Sequence, residues 1–154
     1  MSELSLAARL LDPAAVRLGE AAADRDDAIR RAGSALVETG AVQPAYVDSM
    51  LAREQSISTF VGEGVAIPHG LLEGKALINR DALSFIRFAE PVDWDGMGEV
   101  TVAIGIAAKD DGQVEVLQEL ASILLDPDRA AALRTAGSAE EVTELLRPTG
   151  EDDS

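Results

Sequence analysis

The sequence contains no cysteine and only one histidine among its 154 residues. The lack of cysteine excludes a disulfide framework, thiolate catalysis and a cysteine-ligated zinc site, and it agrees with a reducing compartment such as the cytoplasm. A lone histidine cannot supply the several ligands of a usual zinc site. No Gly-x-Gly-x-x-Gly, Walker A or Gly-x-Ser-x-Gly motif occurs, so neither a bound nucleotide nor a serine triad is indicated. We therefore expect no metal and no cofactor.

Basic and aromatic residues are scarce as well. The chain has 13 lysines and arginines against 28 aspartates and glutamates, a formal net charge of -15, and only 3% aromatic residues. Nucleic acid binding requires clustered cations and stacking rings, so it is not expected here. No apolar run reaches the roughly 20 residues of a membrane-spanning helix, and the N-terminus does not resemble a signal peptide. We expect a soluble cytoplasmic protein whose acidic surface either aids solubility or attracts a basic partner.

What is present is a hydrophobic fraction of 47%, enough for a core, in helical and strand patterns that alternate along the chain. Helical spacing and capping signals predict helices over 24–39, 44–55, from Gly112 onward, over 129–136 and 138–146. β-Branched and aromatic runs predict strands at 16–18, 65–67, 83–88 and 100–107. Residues 58–64 and 90–96 are predicted loops. The alternation predicts one α/β domain over residues 1–147, a mixed β-sheet with helices on its faces, and an acidic flexible tail over 148–154.

The helix from Gly112 is predicted to place its apolar residues on one face, at Val114, Leu117, Leu120, Ala121 and Leu124.

His69 follows the short predicted strand 65–67, directly after Pro68 and before Gly70. Proline cannot donate to a sheet, so Pro68 is expected to end the strand, and Gly70 is expected to leave open space beside the ring. Imidazole titrates near pH 6.5, so a neutral nitrogen is available at pH 7, and histidine can act as a nucleophile. From these residues alone, a structural histidine remains the commoner alternative to a catalytic one.

Several short motifs around His69 resemble one protein family. Three motifs resemble the active-site signature of the enzyme IIA components of the bacterial phosphotransferase system, mannitol and fructose type. They are Arg53-Glu54, Ser58-Thr59 and Gly62-x-Gly64-Val65-Ala66-Ile67-Pro68-His69-Gly70. Two later motifs resemble the mannitol branch of this family more than its nitrogen-regulatory branch. They are Pro91-Val92-Asp93-Trp94 and Ala103-Ile104-Gly105-Ile106-Ala107-Ala108-Lys109. The resemblance covers nearly the whole chain and implies a phosphotransferase/anion transporter-like fold.

The resemblance also implies a sugar-specific phosphocarrier, a phosphotransferase with a phosphohistidine intermediate that serves sugar transport. In this family the histidine accepts a phosphoryl group from the carrier protein HPr and passes it to the IIB component of a membrane sugar permease. Carried over, His69 is the acceptor, and Arg53 stabilises phosphoryl charge through its planar fork of donors. The alternative for Arg53 is a solvated helix residue that pairs with Glu54 or Asp48.

Gln113 departs from the family pattern. The family usually has a second histidine at the start of the helix after the last strand, and Gln113 occupies the matching position. Glutamine can donate a hydrogen bond to phosphate, but it cannot carry a positive charge. This departure keeps open an alternative function, a regulatory IIA-like protein that binds a partner and takes no part in transport. A metal-dependent hydrolase is a more distant alternative, because the ligands are lacking.

Overall fold

The computed structural model describes residues 6–109 and 112–146. The α-helices in these ranges are α1 (Leu6–Leu10), α2 (Arg25–Glu38), α3 (Tyr46–Ser56), α4 (Gly112–Leu124), α5 (Pro127–Arg134) and α6 (Ala139–Leu145), with a 3-10 helix at Leu72–Leu77. The strands are β1 (Leu11–Glu20), β2 (Phe60–Gly62), β3 (Val65–Ala66), β4 (Ala82–Asp93) and β5 (Glu99–Ala107). The predicted tail at 148–154 lies outside the described residues, as do Asp110 and Asp111.

The helix boundaries follow local capping chemistry. The Asp24 side chain accepts a hydrogen bond of 2.9 Å from the backbone N–H of Asp27 and so caps α2, while Ser138 caps α6 in the same way through the N–H of Glu141. Helix α5 starts earlier than predicted, because Asp126 is its cap and Pro127 takes the first helical position. Helix α3 starts later than predicted, and α1 and the 3-10 helix were not predicted at all.

The five strands form one mixed sheet in the order β1-β4-β5-β3-β2, which confirms the predicted α/β class. Strands β4 and β5 are antiparallel, whereas β1 is parallel to β4 and β3 is parallel to β5. Both predicted loops contain strand residues. Strand β4 continues to Asp93 because β5 pairs with it there, and β2 forms within 58–64 because it pairs with β3 across a turn at Glu63 and Gly64.

Helices cover both faces of the sheet. One apolar cluster packs α2 and α3 against it, and the other packs α1, α4, α5 and α6 against the opposite face. The predicted face of α4 is correct only in part: Leu120 is buried and Leu117 and Leu124 pack against the core, but Ala121 is exposed and Val114 is 56% exposed, while the buried positions also include Val116 and Ile123. Apolar residues occupy several sides of α4, so the sequence pattern alone did not specify which side meets the sheet. Within the described residues, no helix is long and apolar enough to cross a membrane.

Candidate functional site

His69 lies at the edge of the sheet where the parallel strands β3 and β5 both end. The carbonyl of Pro68 accepts a hydrogen bond of 2.9 Å from the N–H of Ile106, and His69 itself bridges to Ile106 in parallel register. Pro68 therefore does not end the pairing with β5, because only its nitrogen lacks a hydrogen to donate. Helix α4 follows β5 along the chain, so its first residues and His69 lie at the same sheet edge, where ligands bind in many α/β folds.

The two ring nitrogens of His69 have different surroundings. Nδ1 lies 2.8 Å from the carbonyl oxygen of Ile67. A carbonyl only accepts hydrogen bonds, so Nδ1 carries the proton and, in the neutral ring, Nε2 keeps its lone pair. The residue is only 5% exposed, so a reacting partner meets a ring that the protein largely encloses and holds in one orientation.

Burial lowers the pKa of His69 below its ordinary value. The hydrogen bond to the Ile67 carbonyl opposes this effect, the positive charge of Arg53 lowers the pKa further, and the negative charge of Glu54 raises it. The net direction is downward, because desolvation is the largest of these contributions. His69 is therefore neutral at pH 7, the protonation state in which Nε2 is a nucleophile.

Helix α3 holds the loop that carries His69 through two side chains. The hydroxyl of Tyr46 donates to the carbonyl of Ile106 and accepts from the N–H of Gly70, both at 2.9 Å. The hydroxyl of Ser49, one turn later, accepts from the N–H of Leu71 at 2.8 Å. These bonds satisfy buried backbone groups next to the histidine and fix the loop against the helix.

The expectation that Gly70 leaves open space beside the ring is wrong. A Cβ atom at Gly70 would lie 2.6 Å from Cε1 of Tyr46, closer than non-bonded carbons approach. The missing side chain instead allows the Tyr46 ring to reach the backbone of the loop. Gly70 therefore serves close packing between the loop and α3.

Arg53 lies on the same side of α3 as Tyr46 and Ser49, at the i+7 position from Tyr46. One of its guanidinium nitrogens, Nη1, donates to the carbonyl of Ile57. In the part of the chain that the structure describes, neither Glu54 nor Asp48 forms an ion pair with Arg53. The paired alternative for Arg53 is therefore wrong.

A cavity of about 480 Å³ opens beside the loop that carries His69. Its lining residues come from α3, the loop and 3-10 helix after His69, and the start of α4: Arg53, Gly70, Leu71, Glu73, Lys75, Gln113 and Val114. Arg53 and Gln113, which are far apart in sequence, thus line one cavity.

The sequence analysis did not identify Lys75 or Glu73 as candidate site residues. The one signal in the sequence for Lys75 is that it is a rare lysine six residues after His69.

Glu54, the neighbour of Arg53, is a buried carboxylate that forms no ion pair with the arginine. It is 3% exposed and accepts hydrogen bonds from the N–H and hydroxyl of Thr59 and, at 2.9 Å, from Nε1 of Trp94. A buried charge requires such donors. The hydrogen bonds attach the end of α3 to the segment at Thr59 and to the turn at Trp94. Glu54 therefore fixes the part of the helix from which Arg53 extends.

Among residues 6–109 and 112–146, no group of three or more histidine, cysteine, aspartate or glutamate side chains is arranged to hold a metal ion. The arrangement that is present is an oriented, neutral imidazole one residue before Gly70, which lines a cavity together with an arginine, a lysine and an amide. These are the groups that a phosphoryl transfer site uses, a nucleophile and donors for the phosphoryl oxygens.

This chemistry agrees with the comparison of the sequence with known families. Residues 9–148 match the family described as phosphoenolpyruvate-dependent sugar phosphotransferase system, EIIA 2, and the chain belongs to that family. The resemblance seen in the motifs around His69 is thereby confirmed.

Named relatives cover most of the chain. The mannitol-specific phosphotransferase enzyme IIA component of Halalkalibacterium halodurans is 37% identical over 142 residues, which are 92% of this chain and 97% of that protein. The multiphosphoryl transfer protein of Escherichia coli O157:H7 is 44% identical over 129 residues, 83% of this chain, but the match spans only 34% of that longer protein. The chain thus corresponds to about a third of that relative.

The fold also matches a solved structure. In the complex of enzyme IIAMTL and phosphorylated enzyme IIBMTL from Escherichia coli, one chain superposes with a TM-score of 0.81 at 34% identity. The match covers 89% of this chain and 98% of that one. The mixed sheet with helices on both faces is therefore the fold of the mannitol IIA components.

Proposed function

We propose that this protein is a sugar-specific phosphocarrier of the cytoplasm. It accepts a phosphoryl group from phospho-HPr on His69 and passes it to the IIB component of a mannitol-like sugar permease. The observation that carries the proposal is the hydrogen bond between Nδ1 of His69 and the carbonyl of Ile67, because it leaves Nε2 unprotonated. Membership of the EIIA 2 family supports the same reaction.

The step exchanges one P–N bond for another. The lone pair of Nε2 attacks phosphorus while the bond between phosphorus and the donor nitrogen breaks, and its electron pair returns to the donor. The proton on Nδ1 stays in its hydrogen bond to Ile67 throughout, so the ring keeps its orientation. A neutral imidazole is needed for the attack, and the lowered pKa of His69 supplies it.

Arg53 and Gln113 are proposed to contact the phosphoryl oxygens, since both line the cavity next to Gly70. A guanidinium forms strong charge-assisted hydrogen bonds to phosphate, whereas an amide adds a neutral one. The IIB partner is supported by the structural match to a chain from a complex of enzyme IIAMTL with phosphorylated enzyme IIBMTL.

Incubation with phospho-HPr followed by intact-mass measurement tests the proposal. The wild-type protein should gain one acid-labile phosphoryl group, and His69→Ala should gain none, because His69 is the only histidine in the chain. Subsequent addition of a IIB component should remove the label from the wild-type protein. HPr-dependent labelling of the alanine variant would overturn the assignment of His69.

A regulatory IIA-like protein is the second candidate, and Gln113 is the observation that favours it, because this residue stands where the family carries a second histidine. The two functions differ in whether the phosphoryl group is passed from His69 to a IIB component. A protein that is labelled by phospho-HPr but passes nothing to the IIB components of the same organism would support the regulatory function.

A further inference from the structure

The cavity next to the loop that carries His69 is lined by a second cation, Lys75, in addition to Arg53, while His69 itself, one residue before the lining residue Gly70, is not among its lining residues. Two positive side chains in one cavity are unexpected in a chain with 13 basic residues and a net charge of -15. Like charges repel, so an anion bound between these two side chains would relieve that repulsion.

No carboxylate neutralises these two side chains directly. Within residues 6–109 and 112–146, Arg17, Arg25, Arg31 and Arg134 form ion pairs, whereas Arg53 and Lys75 form none. Glu73 also lines the cavity, but it is exposed, so water screens its charge. The lining thus has two cations and one exposed carboxylate, an arrangement that suits an anion such as a phosphoryl group.

The position of Lys75 is fixed by the same packing that fixes His69. Lys75 lies on the 3-10 helix that begins two residues after Gly70, and the N–H of Gly74 bonds to the carbonyl of Leu71 at 2.9 Å. A Cβ atom at Gly74 would lie 3.0 Å from Cβ of Ser49, so this short helix lies directly against α3. The lysine and Arg53 thus reach the cavity from two elements in contact.

We infer that Lys75 is a phosphoryl-binding residue, whose ammonium contacts an oxygen of the group carried on Nε2 of His69. In this chain it supplies the second positive charge that the neutral Gln113 cannot supply. Lys75 forms and breaks no covalent bond; it stabilises the charge on the equatorial oxygens during transfer. The inference rests on the proposed function of His69.

Single-turnover labelling with two phosphoryl donors tests it. Phospho-HPr must dock on the protein, whereas phosphoramidate is a small donor that needs no docking surface. Lys75→Gln should slow labelling by at least about tenfold with both donors, and should shorten the lifetime of the phosphorylated form. Lys75→Arg keeps the charge and should retain most of the rate.

Lys109→Gln is the matched control, because Lys109 is the only other lysine, is exposed and does not line the cavity. It changes the net charge by the same amount and should be labelled at the wild-type rate. Urea unfolding of each variant verifies that the fold is intact.

Three results would overturn the inference. Slowing of Lys75→Gln with phospho-HPr alone would mean that the lysine acts in docking. Equal slowing of Lys75→Gln and Lys109→Gln would mean that only the overall charge matters. A wild-type protein that takes no phosphoryl group from either donor would refute the proposed function itself, and the role of Lys75 with it.

Discussion

Nε1 of Trp94 donates a hydrogen bond of 2.9 Å to the carboxylate of Glu54, and both side chains are buried. The bond connects the turn after β4 with the end of α3, next to Arg53. Glu54 has no cation partner among the described residues, so its charge depends on the donors of Trp94 and Thr59. The pair therefore supports the site without touching the reacting group.

Trp94→Phe should destabilise the protein by about 1.5–3 kcal/mol, because it removes a hydrogen bond to a buried charge and leaves some space. The free energy of unfolding, measured in urea, gives this value. Thr59→Ser keeps both donors to Glu54 and serves as the control, with a loss of only about 1 kcal/mol because it removes one buried methyl group. If Trp94→Phe were as stable as Thr59→Ser, the bond would contribute nothing net.

Tyr46→Phe should lower the free energy of unfolding by about 1–3 kcal/mol for each of the two buried backbone groups that lose a partner. Those groups are the N–H of Gly70 and the carbonyl of Ile106. Transfer to His69 should slow as well, since the loop loses a fixed contact one residue from the ring. Ser49→Ala removes only the acceptor for Leu71 and should have the smaller effect on both measurements. A Tyr46→Phe protein with unchanged stability and rate would contradict this role.

The pKa of His69 should be below 6.5, and the single histidine makes its NMR titration unambiguous. Arg53→Gln removes a positive charge and should raise the pKa relative to the wild-type protein. Glu54→Gln removes a negative charge and should lower it. Shifts of the opposite sign would show that these charges do not act on the ring in the way that the geometry indicates.

The same pKa has a consequence for stability. Because the folded pKa lies below the unfolded one, the unfolded chain binds more protons between the two values. The stabilisation from neutral His69 is fully present above pH 6.5 and is lost as pH falls through the folded pKa. His69→Gln should therefore show a weaker loss of stability on acidification over that range, measured by urea unfolding at several pH values. Parallel curves for the two proteins would contradict the assignment.

Gln113→His should lengthen the lifetime of phosphorylated His69, most clearly below about pH 6.5, where an imidazole at position 113 becomes charged. A charged donor forms a bond to phosphate roughly twice as strong as that of an amide. Hydrolysis of the phosphorylated protein and back-transfer to HPr, measured for both proteins against pH, provide the test. Identical behaviour at every pH would place Gln113 outside the phosphoryl site.

Local signals in the sequence predicted several elements correctly. Asp24 and Ser138 cap their helices through backbone groups three residues away, and the strand before His69 was visible as a short apolar run. Interactions of this range depend on nearby residues alone, so they can be read from a short window. The motif around His69 likewise predicted the family, because it is contiguous.

Pairing and packing between distant segments were not accessible in this way. Strand β4 continues through a segment that looks like a turn, because β5 pairs with it, and β2 exists only because β3 lies beside it. The apolar residues of α4 predicted its buried face only in part for a similar reason, since Val114 and Ala121 are exposed while Val116 and Ile123 are buried. Which side of a helix is buried depends on the sheet that it meets.

The sequence by itself determined the family, His69 as a candidate for the reactive residue and the cap of the last helix, Ser138. Only the tertiary structure decided which nitrogen of His69 keeps its lone pair, why Gly70 has no side chain, and that Lys75 shares a cavity with Arg53 and Gln113. The last two features are contacts between α3, the loop after β3 and the start of α4, whereas the first depends on the backbone direction of that loop at Ile67. Their geometry is fixed by the strand order β4-β5-β3 and by burial against α3, which no short stretch of sequence specifies.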